Sequence, residues 1–370
     1  MQFLWDQQSH SHSRHASRAL IAAYGTRGAG WSVRSARGRA VAVELLDEFE
    51  AVINKYLSHR CTLQKQKEAD MQREDNMRPG WLVINADWAE NGSILNAREI
   101  QSEYWSIKSY SLFISIAVYL VSSIWNDTKS ALSNDAEVTI EHENGRTEFG
   151  WVVGGSTDAG EDVVYTVRRR KAGPIEVPRR RLRHRVKRSI AFIGVTDEKR
   201  HDAPSSQHFF RRQLEWWSRF SGESFHTLAI HTDNATHFKS NKMFYWWSTV
   251  FKLFAWVKRI HVDFGCPGHG KGPWDGLGAV VKTQIRRDLL NGGDSILTAS
   301  KKISSPAEVA EQLRARFSTQ AWQDEHKHRK VNEMVVFYSG HDEITERVLV
   351  EKSGRVMCYV YFTPSGWPLC

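Results

Sequence analysis

The chain has 370 residues, of which 41% are hydrophobic and 25% charged, and it carries a formal net charge of +9. This length supports a sizeable core and about two or three domain-sized units, and the composition excludes a wholly disordered or fibrous chain. The positive balance favours a polyanionic partner, either nucleic acid or an anionic surface, over an acid-poor neutral ligand.

Residues 1–40 are rich in Ser, Arg, Gly and His and read as a disordered basic tail. Residues 41–78 show helical periodicity, with Leu45, Phe49, Val52, Ile53 and Leu57 on one face. "GWLVINADWAENGS" follows as a buried strand ending at Asp87. Residues 104–125 are apolar and β-branched and predict one or two more strands. Their longest apolar stretch, Ser111 to Trp125, falls short of the about 18 residues a membrane span needs, so no membrane partner is expected.

From 135 to 188 the texture changes. "VTIEHENGRTEFGWVVGG" holds an Asn144-Gly145 turn between β-like runs, a hairpin signal. Two further short strands and a dense cationic cluster complete a pattern similar in spacing to small SH3-like barrels. Arg179, Arg180, Arg181 and Arg183 belong to that cluster, which predicts solvent-exposed arginines. Such a cluster is a solvated face, a nuclear-localisation patch or a phosphate-binding surface. Beyond 189, three successive strand–loop–helix units begin at "RSIAFIGVTDEKRHDA", "SFHTLAIHTDNATHFK" and "IHVDFGCPGHGKGPWDG". Alternating strands and helices imply a mixed or parallel sheet with helices packed on it, and sites in such sheets gather at the carboxyl ends of strands.

Acids fall at those ends. Asp87 lies in "NADWAEN", Asp233 in "IHTDNATH", and Asp275 near the start of the helix in "GHGKGPWDGLG". Any one of them reads as a helix cap. Three together can converge on hard divalent cations, which prefer oxygen ligands. Cys61, Cys266, Cys358 and Cys370 form no CxxC, so no zinc module of that spacing is present and a reducing compartment fits.

Three stretches carry a family resemblance: "DWAENGSILNAREIQSEYWS", "VTDEKRHDAPSSQHFF", and the pair "TDNATHFKSNKMF" and "GHGKGPWDGLGAVVK". Over about residues 45–290 the chain resembles the ribonuclease H-like DDE/D transposases of eukaryotic cut-and-paste transposons, in the Kolobok/KDZ-like and Mutator-like neighbourhood. The most specific element is the last pair, whose acids lie 42 residues apart (275 − 233). The resemblance implies an α/β fold: a ribonuclease H-like mixed sheet flanked by helices, with a small β-barrel-like insertion. Its segments would be core at 79–134 and 189–295, insertion at 135–188, and an α+β tail at 296–370.

The resemblance also implies the chemistry. Asp87, Asp233 and Asp275 would be the catalytic carboxylates and would hold two Mg²⁺ (or Mn²⁺) ions, with Asp263 and Asp288 competing for the third place. Lys239, His269, Lys271 and the arginines would contact phosphate. Asp197, His201 and Asp202 would support the site, or form a loop before a helix capped at Ser205 or Ser206, and Glu90 would be a supporting acid. The implied activity is DNA cleavage and strand transfer in the nucleus, on double-stranded DNA, by a homodimer or higher oligomer. The alternatives are a domesticated or decayed, non-catalytic DNA-binding protein and a structure-selective nuclease.

Overall fold

A computed structural model of the chain describes residues 33–94, 108–170, 172–220, 222–265, 272–290, 303–319, 322, 331 and 333–345. The chain divides into two compact units, Met1–Cys61 and Thr62–Cys370. Helix α1 (Val33–Asn76) is the longest element. In the first unit its apolar face, with Phe49, Val52, Ile53 and Leu57, is exposed.

The second unit is built on a mixed sheet. Its strands are β1 (Trp81–Ser93), β2 (Ser109–Leu120), β8 (Lys187–Thr196), β9 (Thr227–Thr232), β10 (Arg259–Phe264) and β11 (Glu333–Ser339). Their order is β10–β9–β1–β2–β8–β11. β1, β2 and β8 run antiparallel in succession, and β9 and β10 run parallel to β1. This is the ribonuclease H-like arrangement. β2 is almost continuously buried because helices cover both faces of the sheet, and its sequence "SYSLFISIAVYL" is correspondingly rich in β-branched and aromatic residues. β11 pairs in parallel with β8, so a strand from the segment read as a tail extends the core sheet.

On one face lie α3 (Ala203–Phe220) and α4 (Asn241–Leu253). Phe209, Phe210, Leu214 and Trp217 of α3 share a core with Phe113, Phe192 and Trp247. Phe113 stacks on Phe209 at 5.5 Å between ring centroids. On the other face, Leu277, Val281 and Ile285 of α5 (Pro273–Leu290) and Leu313 of α6 (Pro306–Phe317) pack on Ile114, Ile193 and Val195. Most of the tryptophans in these helices and strands serve as packing, since Trp88, Trp217, Trp247 and Trp274 are all buried.

Between β2 and β8 the chain passes through α2 (Ser122–Asn126) and a second, wholly antiparallel sheet. Its strands are β3 (Glu137–Glu141), β4 (Thr147–Val152), β5 (Val164–Arg169), β6 (Ile175–Pro178) and β7 (Leu182–His184), in the order β6–β5–β4–β3–β7. The sheet curls around its own core of Val138, Ile140, Val152, Tyr165, Val167 and Leu182. Gly145 takes φ 75° in the β3–β4 turn, a conformation that favours glycine.

Arg179 departs from its expected place. It is 1% exposed. Its guanidinium donates to the carbonyls of Ser130, Leu182 and Asp127, each at 2.7 Å. Five donors in a rigid fork make arginine suited to satisfying three carbonyls from two separate segments. Arg185 is likewise buried, donating to Thr139 Oγ1 at 2.9 Å. These two arginines hold the fold and are not a solvent-exposed phosphate surface.

Candidate active site

Asp87 was expected at a strand end, yet β1 runs on to Ser93. The antiparallel pairing with β2 continues past it, with Asp87 opposite Ile114. What ends there is the parallel partner: the β1–β9 register stops at Ala86 opposite Thr232. Asp87 therefore stands just beyond the end of β9, and Asp233 is the first residue after that strand. The two acids become neighbours because adjacent parallel strands stop at one level.

Neither of these acids caps a helix. The α4 N-cap is Ser240, whose hydroxyl accepts from Met243 N–H. Asp233 Oδ1 instead accepts from Ala235 N–H at 3.1 Å, and Asp87 Oδ1 from Trp88 N–H at 2.7 Å. Asp275 lies in the first turn of α5, where its Oδ2 accepts from Gly272 N–H at 2.7 Å. Asp87, Glu90, Trp274, Asp275 and Lys282 line one open cavity between β1 and α5.

The electrostatics confirm that the acids share a field. Burial, the charge of Asp233 and then that of Asp275 push the Asp87 carboxyl from 3.8 up to about 7, against the opposing Trp88 N–H bond. Burial, and the charge of Asp275, also raise Asp233 against its Ala235 N–H bond. Among the described residues no Lys or Arg nitrogen pairs with either acid.

His237, which the sequence reading did not single out, completes the group. Asp87, Asp233 and His237 place ligand atoms all within 4.8 Å of one another. His237 Nε2 is 4.0 Å from Asp233 Oδ1. Burial, and to a lesser degree His201, lower the His237 pKa to about 4, so its imidazole is neutral at neutral pH. His237 Nε2 and Asn234 Oδ1 are buried without hydrogen-bond partners, which suits a group that ligates. The available signal was its position four residues beyond Asp233. Lys282 was also missed; it lies two helical turns beyond Asp275.

The competing acids are otherwise engaged. Asp263 bonds to Arg73 and His231, and Asp288 to Arg316. Asp202 caps α3, accepting from the Ser205 N–H at 3.0 Å and its hydroxyl at 2.8 Å. Asp197 accepts from His341 N–H at 2.6 Å. His201 stacks on Trp88 at 4.6 Å and bonds Asn91 at 2.7 Å, which fixes the ring beside the site. Glu90 is exposed, 3.9 Å from Lys282.

Among the expected phosphate contacts, Lys239 is exposed with its Nζ 5.8 Å from the Phe264 ring centroid. Arg180 pairs with Asp162, Arg181 with Glu143 at 3.3 Å, and Arg183 with Glu141 at 2.6 Å. His269 and Lys271, with Cys266, lie outside the described residues.

Fold and site together define a ribonuclease H-like α/β protein with an acidic cavity where its central parallel strands end. A family model described as a domain of unknown function (DUF8701) matches residues 181–338. That stretch runs through β8, β9, β10 and β11 and includes Asp233, His237 and Asp275, but not Asp87. No curated protein and no solved structure matches the chain. No helix among the described residues is long and apolar enough to cross a membrane.

Proposed function

We propose that this chain is a transposase-type phosphoryl transferase that cleaves double-stranded DNA and joins the freed 3′-OH to a target strand. The observation that carries the reading is the meeting of Asp87 and Asp233 where adjacent parallel strands stop pairing, with Asp275 lining a cavity with Asp87 and its charge acting on both acids. The residues fit divalent cations: the acids repel one another, and two buried polar atoms beside them lack partners. Two such cations, Mg²⁺ or Mn²⁺, would supply an activated hydroxyl and stabilise the leaving oxygen.

Asp87, Asp233 and Asp275 hold negative charge at fixed positions around the scissile phosphate. Trp88 and Trp274 line the cavity beside Asp87. Lys239, Arg180, Arg181 and Arg183 supply phosphate contacts. Arg180 faces Asp162 in an exposed pair, worth only about 0–1 kcal/mol, so exchanging that carboxylate for a phosphate costs little, whereas Arg181 and Arg183 are partly buried against Glu143 and Glu141. Action on chromosomal DNA places the protein in the nucleus, and joining two element ends calls for a homodimer or higher oligomer.

The test is nicking of supercoiled plasmid by the full chain with Mg²⁺, Mn²⁺ or chelator. Wild type should nick only with metal, and Asp233→Asn should not nick at all while retaining its fold and salt-sensitive DNA binding. Equal, metal-independent nicking by both would refute the reading. Salt-sensitive binding without cleavage by wild type would instead identify a non-catalytic DNA-binding descendant.

A further inference from the structure

We propose that His237 is a direct ligand in the cation site, so that Asp87, Asp233 and His237 form a mixed carboxylate–imidazole site that prefers Mn²⁺ to Mg²⁺. The proposal rests on the reading above in taking these acids to hold a divalent cation, and it deepens that reading by naming the third ligand and the metal.

The distances suit a shared ion. Two donors each about 2.1 Å from one cation stand about 3.0 Å apart at a right angle and at most about 4.2 Å apart in line. Asp233 Oδ1 and His237 Nε2 are 4.0 Å apart, too far to hydrogen-bond and within the span that one cation can bridge. Asp87 completes the group within 4.8 Å. Asp275 is in no such three-residue group among the described residues, and its Oδ2 is committed to Gly272 N–H.

A second group of the same composition provides the contrast. Asp70, His231 and Asp263 also place ligand atoms within 4.8 Å of one another. There, however, Arg73 bonds to both acids, with Asp70 at 2.6 Å. A resident guanidinium already neutralises that cluster. The Asp87–Asp233–His237 group has no such cation among the described residues, and its imidazole nitrogen is buried without a partner. Of the two clusters, only this one has ligand lone pairs without a counter-charge.

The ligand set selects the metal. Mg²⁺ demands oxygen ligands and tolerates nitrogen poorly. Imidazole suits Fe, Ni, Cu and Zn best; Mn²⁺ shares the preference of Mg²⁺ for oxygen but, as a first-row transition ion, takes an imidazole more readily than Mg²⁺ does. A site with two carboxylates and one imidazole therefore binds Mn²⁺ more tightly than Mg²⁺. Phe238 and His201 pack edge-on against the His237 ring, at 4.3 and 6.4 Å between centroids, which holds its orientation.

The experiment uses the full chain without DNA and Mn²⁺ as the probe. Free Mn²⁺ is followed by electron paramagnetic resonance during titration, and the bound ion is examined by pulsed methods for coupling to ¹⁴N. Wild type should show ¹⁴N coupling and should bind Mn²⁺ at least about tenfold more tightly than Mg²⁺ in competition. His237→Ala should lose the nitrogen coupling and at least about tenfold in Mn²⁺ affinity, since even residues that only orient ligands are worth roughly 10–100-fold. Its Mg²⁺ affinity should change little. His237→Gln preserves bulk and is read the same way if the alanine variant does not fold, and His201→Ala should keep the coupling. Nitrogen coupling that survives in the His237 variants, or is absent from wild type, overturns the proposal. Plasmid nicking separates the two readings. A wild type that binds Mn²⁺ through nitrogen but never cuts DNA keeps this site and removes the transferase. One that cuts DNA with no nitrogen on its metal removes His237 alone.

Discussion

Replacing Asp87 with asparagine should stabilise the metal-free protein, and the gain should depend on pH. The folded protein raises this carboxyl from 3.8 to about 7 through burial and the charges of Asp233 and Asp275. A shift of about three units corresponds to roughly 4 kcal/mol at 1.36 kcal/mol per unit. The site is half-buried and open to the cavity, so water screens part of this, and about 2 kcal/mol is the expected gain. The sign follows from proton linkage. An acid whose folded pKa is raised holds its proton more tightly folded than unfolded, so wild-type stability falls as pH rises from about 4 to about 7. Asparagine does not titrate, and its carbonyl still accepts from Trp88 N–H. The difference should be near zero below pH 4, grow through that window and level off above pH 7. Urea midpoints measured from pH 4 to pH 8 in chelator test this. Adding Mn²⁺ should then stabilise wild type and leave the variant unchanged. A variant as stable as, or less stable than, wild type at pH 8 in chelator would refute the raised Asp87 pKa and the buried, mutually repelling acids that account for it.

Two other substitutions test the fold that positions the site. Arg179→Ala leaves the carbonyls of Asp127, Ser130 and Leu182 without their donor and should cost about 3–5 kcal/mol, whereas Arg180→Ala, on an exposed ion pair, should cost less than about 0.5 kcal/mol; thermal melts of both decide it. Gly194→Ala would place a Cβ 2.4 Å from the Phe209 ring, so it should destabilise the domain by about 1–3 kcal/mol, read as a lower urea midpoint.

The local pattern was legible in the residues themselves. Runs such as "SLFISIAVYL" are strands because β-branched and aromatic side chains pack on a doubly covered sheet, and the Asn144-Gly145 pair marked its turn because glycine tolerates positive φ. The same periodicity placed α3, α4 and α5 after their strands, which put Asp233 and Asp275 beside the sheet edge. The extent of β1 past Asp87 was not legible, since nothing in "DWAENGS" says that the partner on one side stops while the partner on the other continues.

The sequence by itself determined which residues can ligate and roughly where along the chain they sit. Only the tertiary structure decided which of them meet. Asp263 competed with Asp275 in the sequence, but Arg73, 190 positions away, is bonded to it. Arg179 looked like its neighbours in "PRRRLRHR" until three carbonyls closed around it. His237 gained a role only when Asp87, 150 residues earlier (237 − 87), arrived beside it across two strands. Composition and spacing report chemical type and local geometry, which act over a few residues. Burial, field and partner are sums over neighbours brought together from distant parts of the chain, so they exist only once the sheet has assembled.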